Sequence, residues 1–363
     1  MIARALFVAL LACSAIADPV TVRLWDDPTP IEGEVVTDTP QAITVKVAED
    51  RTVRVPWTRV ARVVPAPTDT MAAHAQAGLD AWRAWQRLDR ADVLGAEPLL
   101  ERHADGYLGL RGEVSGAIAA GLVRCRLARG DRAGAVAPWV AMLRVADADE
   151  FAERVGLDAA TGLHPDLVPI WTDEEAGELA AHAESLRALA PIDSRERRLL
   201  DLMLLSASWQ VAADADRPAL AEQFEAIRAK PRPNDDADAL LIEVVGSVVA
   251  EDRDKFRARL ETRVARPAAP WQSAWAGIAI ARSLIAEPDD GARRRGAVQL
   301  LDTALRIADT YPALSVLALR WGAAAAGMVG DDPAAGALRD ELARRFPAYA
   351  DPTRLTGKDT PNP

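Results

Sequence analysis

Histidine, cysteine and serine, the residue types that most often carry catalysis or bind metals, are widely spaced in this chain. No two histidines have the three- or four-residue spacing that places two ligands on one helix face: they are His74, His103, His164 and His182. The chain has no cysteine pair of metal-ligand spacing and no His-Glu-x-x-His string. Gly246-Ser247 lacks the flanking pattern of a serine nucleophile, and no phosphate-binding Gly-Lys-Ser/Thr string occurs. The sequence therefore predicts no catalytic residue, no metal, no cofactor and no enzymatic activity.

Acidic pairs recur at turns or at the starts of predicted helices: Asp173-Glu174-Glu175, Asp235-Asp236, Asp289-Asp290 and Asp331-Asp332. At these places carboxylates cap exposed amides and interact favourably with the helix dipole. Two carboxylates can also hydrolyse a glycosidic bond, but the sequence does not fix the separation that this reaction requires. We therefore interpret the pairs as helix caps.

Two pairs of tryptophans have helical spacing. Trp82 and Trp85 are three residues apart, and Trp271 and Trp275 are four apart. Aromatic clusters can anchor a partner or stack on sugars. At this spacing they more often pack in a core or between helices, which is the interpretation that we favour.

Residues 1–17 have the three-part pattern of a cleaved secretory signal. Arg4 supplies the positive charge, an apolar run follows, and Ala15-Ile16-Ala17 gives the cleavage site. The apolar run is shorter than the ~20 residues of a membrane span. We predict cleavage after Ala17 and a periplasmic or secreted protein. In the alternative, Leu10-Leu11-Ala12-Cys13 is processed as the lipobox that it resembles, and Cys13 carries a lipid anchor in the envelope.

Length and charge narrow the class of protein. A chain of 363 residues favours two or three domains, and 27% charged with 50% apolar residues is typical of a globular protein. The net charge of −11 repels phosphate backbones, so we predict no nucleic-acid partner. The later apolar runs are interrupted by Glu243 and Arg320, which predicts buried helices and no membrane span. Cleavage after Ala17 leaves Cys125 alone in an apolar run, which predicts a buried side chain without a disulfide.

Residues 18–65 alternate apolar and polar side chains with the period of half-buried strands. The alternation is clearest in Val20–Leu24, Ile43–Val47 and Val53–Val55, and turn residues separate these runs. We predict five short strands in a small barrel or rolled sheet.

Part of this segment resembles the small SH3-like or Sm-like β-modules found near the N-termini of exported bacterial proteins. The likeness is carried by Gly33–Val36, Ile43–Val47 and the closing stretch Val55–Val63. It implies a barrel-like fold. Trp57, in the closing stretch, is either a peptide-binding aromatic, as in SH3-like domains, or a core residue that plugs the barrel end or packs on the first helix.

A change of period divides the rest of the chain. Residues 66–70 have linker composition, and residues 71–350 have the helical period. Residues 351–363 are polar and contain proline, so we predict a disordered tail.

Two helical segments align without a gap when Gly130-Asp131 is placed on Gly330-Asp331. In each, an apolar helix ends at Gly-Asp, and an alanine follows five residues after the glycine, at Ala135 and Ala335. Gly-Asp reverses the chain, and the alanine lets the second helix approach the first closely.

These hairpins resemble the tetratricopeptide repeat (TPR). Leu122 and Trp139 fall at its apolar and aromatic positions, Pro347 falls at its closing proline, and Ala297 with Ala304 indicates a third copy after Gly291. The sequence departs from the family at Val123 and Ala323, where glycine is preferred, and residues 151–267 fit poorly. The resemblance implies stacked helix pairs with a concave surface that binds a peptide or protein segment; the alternative is that the pairs pack into a globular helical body.

We therefore predict a mainly α exported protein, in which a TPR-like α-α hairpin array follows a small barrel-like β-module. The predicted function is a protein-interaction scaffold that binds a protein or peptide partner. The alternative is a helical carbohydrate-active or cell-wall glycan-binding protein. The candidate binding residues are Trp57, Trp82, Trp85, Trp271 and Trp275.

Overall fold

The computed structural model describes residues 19–65, 68–145, 148–266 and 269–350. The predicted signal peptide, Cys13, residues 66–67 of the predicted linker and the predicted tail at 351–363 lie outside this range. The described part is mainly α with a small N-terminal sheet. The chain divides into two compact units between Trp82 and Arg83, a point that lies inside the first helix.

The first unit holds the sheet and the beginning of helix α1. The alternating segment folds into antiparallel strands, as the sequence predicts. Their bounds are Val20–Leu24 (β1), Ile31–Asp38 (β2), Ala42–Ala48 (β3), Arg51–Pro56 (β4) and Val60–Val64 (β5). A 3₁₀ turn, Trp57–Arg59, joins β4 to β5, and α1 spans Asp69–Leu88.

The sheet is open, which corrects the prediction of a barrel-like module. Its strand order is β4-β3-β2-β1-β5. A closed barrel requires the two edge strands to pair, but β5 pairs with β1, and β4 and β5 are not hydrogen-bonded to each other among the described residues. A register shift between Val35 and Thr37 bends β2 without bringing the edges together.

One face of the sheet supplies the core of the first unit. Val22, Ile43, Val45 and Trp57 are fully buried. Helix α1 packs closely on this core at Gly78: a Cβ added there would lie 2.4 Å from the carbonyl oxygen of Trp57, so glycine is required. The indole nitrogen of Trp57 donates a hydrogen bond to the carbonyl oxygen of Thr39 at 2.8 Å.

The second unit consists of helices. After the end of α1 they are Val93–Tyr107 (α2), Glu113–Ala128 (α3), Arg132–Leu143 (α4), Ala148–Val155 (α5), Asp173–Ala181 (α6), Ala183–Ala188 (α7), Arg195–Val211 (α8), Arg217–Arg228 (α9), Asp236–Val249 (α10), Arg253–Ala265 (α11), Pro270–Ile285 (α12), Asp290–Ile307 (α13), Pro312–Met328 (α14), Asp332–Arg345 (α15) and Pro347–Ala350 (α16). Within the described ranges, no helix has both the length and the apolar character of a membrane span.

From α8 onward these helices form two layers. Helices α8, α10, α12 and α14 lie side by side, and α9, α11, α13 and α15 cover them, so that consecutive helices pack as pairs. Most positions of α12 and α14 are buried, whereas α11 buries only Phe256 and Leu260. A helix that is apolar on all sides has to be enclosed in this way.

The two aligned Gly-Asp hairpins have the same local structure. Gly130 has a φ of +78° and Gly330 a φ of +73°, the left-handed conformation in which glycine ends a helix. The next residue caps the second helix in both: Asp131 accepts a hydrogen bond from the amide of Gly134, and Asp331 accepts one from Ala334. These turns join α3 to α4 and α14 to α15.

Candidate binding cavity of the helical unit

An irregular stretch between α5 and α6, residues 156–171, packs against several helices of the second unit. We call it the central segment. Its carbonyl oxygens accept hydrogen bonds from side chains of α4, α8 and α12. The donors are Arg195 to Thr161, Trp139 to Gly162, Trp275 to Pro165, Ser206 to Pro169, and Arg132 to Asp166, Val168 and Ile170. Because buried carbonyls have to be paired, these side chains replace the hydrogen bonds that a helix or sheet would supply.

Arg132 makes three of these contacts and is the most heavily used donor. Its side chain is buried, pairs with Glu175 at 3.2 Å and lies over the ring of Trp171 at 4.9 Å. The planar guanidinium supplies several fixed donors, and lysine cannot reproduce that arrangement. Glu175 is held in turn by the capping box of α6, where its carboxylate accepts the amide hydrogen of Thr172.

Two titratable groups of the central segment, His164 and Asp166, have shifted pKa values. The Nδ1 atom of His164 accepts a hydrogen bond from the amide of Asp166 at 3.0 Å. Burial lowers the pKa of His164 and raises the pKa of Asp166, because the charged form of each group loses its hydration. The Asp166 Oδ1 atom is buried and has no hydrogen-bond partner among the described residues.

Beside this segment, residues from distant parts of the helical unit line a cavity of about 240 Å³. Its apolar wall consists of Ala313, Val316 and Leu317 of α14. Further lining residues come from the α3–α4 turn, from the first turn of α4 and from the first two turns of α6. The polar lining comprises Arg129, Asp131, Arg132, Thr172, Glu174, Glu175, Glu178, Arg320 and Tyr349.

Two carboxylates in this lining are available to a ligand. Glu174 and Glu178 form no ion pair or side-chain hydrogen bond with the described residues. Partial desolvation, followed by the negative charge of Asp131, raises the pKa of Glu178 against the opposing effects of His182 and Arg126, although the residue is exposed to solvent. By contrast, Arg129 is already paired with Glu97 at 2.7 Å.

The candidate binding tryptophans do not come together. Trp57, Trp85, Trp271 and Trp275 are buried, and they pack in the cores of their own units. Trp82 is partly exposed, and its ring stacks on Trp25 in the first unit. Neither helical pair therefore forms a joint aromatic surface.

The predicted repeat-packing residues occupy the hairpins as follows. Leu122, Ala135, Trp139, Ala304 and Ala335 are buried, whereas Ala297 is partly exposed and Pro347 is exposed. A close approach of α12 and α13 is made by the residue before Ala297. A Cβ added to Gly296 would lie 2.8 Å from the carbonyl oxygen of Ala281.

Cys125, predicted to be a small buried hydrophobe, lies in the core of α3. Burial raises its pKa to about 12, so the thiol is not a nucleophile at neutral pH. No group of three or more histidine, cysteine, aspartate or glutamate residues in the described ranges is arranged to hold a metal ion.

The sequence did not single out the cavity as a site. Glu174 and Glu175 were noted as capping residues, but Glu178, Arg320 and Tyr349 gave no signal because they meet only in the folded unit. Only Arg132 could have been noticed in the sequence. It follows the Gly-Asp turn directly and begins a helix, where a positive charge is unfavourable. Comparisons of the chain with known protein families, with curated proteins and with solved structures gave no match.

Proposed function

We propose that the protein is a protein-interaction scaffold, and that a segment of its partner binds in the cavity of the helical unit. One observation carries the proposal: the cavity lining combines an apolar wall, which includes Val316 and Leu317, with two carboxylates, Glu174 and Glu178, that form no ion pair with the described residues. Binding sites of this kind combine apolar surface with a few placed polar groups.

The same lining defines the chemistry of the bound segment. A lysine or arginine side chain, or an N-terminal amine, gives Glu178 a direct ion-pair partner, which it lacks among the described residues. An apolar residue beside this cation contacts the small exposed parts of Val316 and Leu317. The proposed ligand is therefore a short basic segment with an adjacent apolar side chain.

We also propose a family origin for the helical hairpins and for the sheet. The matching turns at Gly130 and Gly330, each followed by a capping aspartate, support a TPR-like origin for these hairpins. The strand order, together with the 3₁₀ turn between β4 and β5, supports an SH3-like origin for the open sheet. An exported location is supported by the pattern of residues 1–17.

A capture experiment with matched variants tests the proposed function. The wild-type protein, the cavity variant Glu174→Gln/Glu178→Gln and the surface control Glu222→Gln/Glu261→Gln are immobilised in equal amounts. Each is incubated with envelope extract, and bound proteins are quantified by mass spectrometry. The control removes the same charge from two exposed helical positions, so it corrects for nonspecific electrostatic capture.

The expected result is a partner that wild type and control enrich equally and the cavity variant enriches about threefold to tenfold less, because each exposed ion pair contributes up to about 1 kcal/mol. A basic peptide from that partner should bind the wild-type protein directly, with the same dependence on Glu174 and Glu178. Equal enrichment by all three proteins, or no enrichment by any, overturns the proposal.

The alternative, a glycan-binding helical array, has less support. Trp271 and Trp275 pack edge to face at 5.1 Å and are buried within α12, so neither ring face is offered to a sugar. The acidic pairs at Asp289 and Asp331 cap helices α13 and α15, as the sequence predicts.

A further inference from the structure

The first unit carries a stacked pair of tryptophans at its surface. The rings of Trp25 and Trp82 lie 4.3 Å apart at an interplanar angle of 8°. Trp25 follows β1 and is 41% exposed, and Trp82 lies on α1. A large aromatic ring left this exposed has not been used to fill the core, and such surfaces often mark binding sites.

The residues around Trp25 are held in place before any ligand arrives. The amide of Trp25 donates to the carbonyl oxygen of Arg59 at 3.0 Å, which ties the end of β1 to the 3₁₀ turn. Asp26 pairs with the guanidinium of Arg59 at 2.9 Å, and both side chains are at least half exposed. The loop continues with an internal hydrogen bond from the amide of Thr29 to Asp27.

The stacking geometry limits what this site can bind. Rings 4.3 Å apart are in van der Waals contact, so no ligand fits between Trp25 and Trp82. Trp82 stacks on one face of Trp25, and 41% of the Trp25 residue stays exposed; Asp26, the next residue in the chain, and its partner Arg59 supply an exposed carboxylate and guanidinium. A proline-rich peptide binds grooves formed by several aromatic side chains, whereas one flat aromatic face with hydrogen-bonding groups at its edge fits one sugar ring.

We propose that Trp25, Asp26 and Arg59 form a binding site for a β-1,4-linked pyranose unit of the gluco configuration in a glycan. In such a sugar the hydroxyl groups are equatorial and the axial C–H groups form a flat apolar face, which packs on the electron-rich face of the indole. The equatorial hydroxyls at the ring edge then donate to Asp26 and accept from Arg59. Trp82 supports Trp25 from behind and is a positioning residue.

The test uses two defined probes, cellotetraose and chitotetraose, titrated into the purified full-length protein by isothermal calorimetry. Wild-type protein should bind at least one of them saturably with one site. Trp25→Ala should weaken this binding about tenfold or more, and Trp25→Phe, which keeps a smaller aromatic face, should weaken it less. Asp26→Asn, a surface change that leaves the aromatic stack in place, should weaken binding about threefold to tenfold.

Trp209→Ala is the matched control, because Trp209 is a partly exposed tryptophan of the second unit, and it should leave sugar binding unchanged. If Trp25→Ala reduces folding, Trp25→Phe and Asp26→Asn decide the outcome. Three results overturn the proposal: no saturable binding of either sugar, binding that these variants do not change, or binding of a proline-rich peptide at Trp25 in place of the sugars. Because the cavity is in the second unit, its own test is unaffected by this result.

Discussion

The indole nitrogen of Trp275 lies 2.5 Å from the carbonyl oxygen of Pro165, a residue 110 positions earlier in the chain. This hydrogen bond joins α12 to the central segment, which also accepts hydrogen bonds from α4 and α8. The central segment therefore packs against three helices of the second unit, α4, α8 and α12. Its conformation depends on a few side-chain donors, and that dependence can be measured.

Arg132→Lys tests how much the central segment depends on its main donor. Lysine keeps the charge near Glu175, but it cannot reach the carbonyls of Asp166, Val168 and Ile170 together or lie flat over the Trp171 ring. We expect the free energy of unfolding to fall by about 2–3 kcal/mol, since buried carbonyls lose their partners. Urea unfolding followed by circular dichroism measures this change.

The control for that change is Arg294→Lys on the exposed face of α13. It should alter the free energy of unfolding by less than about 0.5 kcal/mol, as is usual at surface positions. A similar loss in both variants would show that the contacts of Arg132 contribute no special stability.

His164→Asn tests the pH dependence of the central segment. Asparagine can accept the hydrogen bond from the amide of Asp166, but it does not titrate. Burial lowers the pKa of His164 below its ordinary 6.5, so as pH falls below 6.5 the unfolded chain binds a proton that the folded chain does not. The stability that His164 contributes is therefore present above pH 6.5 and is lost as pH falls toward its folded pKa.

We expect the wild-type protein to lose more stability than His164→Asn between pH 7.5 and about 5.5, a comparison that thermal unfolding in matched buffers provides. Asp166 has the opposite dependence, because its raised pKa gives stability that is lost as pH rises. Asp166 is present in both proteins and interacts electrostatically with His164, so the difference between their curves reports His164 together with its effect on Asp166. Parallel curves would contradict the prediction.

The extent to which the sequence predicts the structure depends on how local the relevant interactions are. Alternation in Val20–Leu24 and Ala42–Ala48 predicts strands because each residue's face is set by its position in the strand. The turns at Gly130 and Gly330 are predictable because the glycine conformation and the aspartate cap are both local. The pattern could not predict that the sheet stays open, because closure into a barrel depends on whether β4 and β5 form hydrogen bonds with each other.

The central segment and the cavity are non-local features. Residues 156–171 show only turn residues and a break in helical period, and their partners lie from about twenty to more than a hundred positions away in the chain. The period of a pattern reports burial but not the identity of the neighbour, so it could not bring Glu178 and Tyr349 together. Likewise, the stack of Trp25 on Trp82 joins residues whose patterns are unrelated.

Arg282 offers a test of a buried charge. It lies over the Trp321 ring at 3.3 Å and donates to the side-chain oxygen of Gln210 at 2.8 Å. Burial lowers its pKa to about 10, against the opposing effect of Asp173, so the guanidinium remains charged at neutral pH in spite of the desolvation cost. Arg282→Met fills the same space without that cost.

We expect Arg282→Met to change the free energy of unfolding at pH 7 by less than about 1 kcal/mol, whereas Arg282→Ala, which leaves a cavity, lowers it by about 3 kcal/mol. Because the pKa of Arg282 is lowered in the folded state, the free-energy cost of its buried charge diminishes as pH rises through 10. The free energy of unfolding of the wild-type protein should therefore rise there relative to that of Arg282→Met. Denaturant titrations at pH 7 and pH 10 provide the comparison. A large loss in Arg282→Met at both pH values would show that Gln210 and Trp321 fully compensate the charge.

The two matching turns provide an internal control for contacts made by the end of the helical unit. Gly130→Ala and Gly330→Ala both place a Cβ on a residue with positive φ, which costs about 1–2 kcal/mol. At Gly330 the added Cβ meets no atom within 4 Å, whereas at Gly130 it lies 3.2 Å from the ring of Tyr349. Gly130→Ala therefore has to displace Tyr349 as well, and its loss of unfolding free energy should exceed that of Gly330→Ala by about 1 kcal/mol.

Adding Tyr349→Ala to each glycine variant, with stability measured by urea unfolding, completes a double-mutant cycle. With Tyr349→Ala present, the additional loss of unfolding free energy in Gly130→Ala should disappear. The loss in Gly330→Ala should not change, because only the α3–α4 turn contacts the Tyr349 ring. Equal losses in both turns, with no coupling to Tyr349, would mean that the final helix does not rest on the α3–α4 turn in solution.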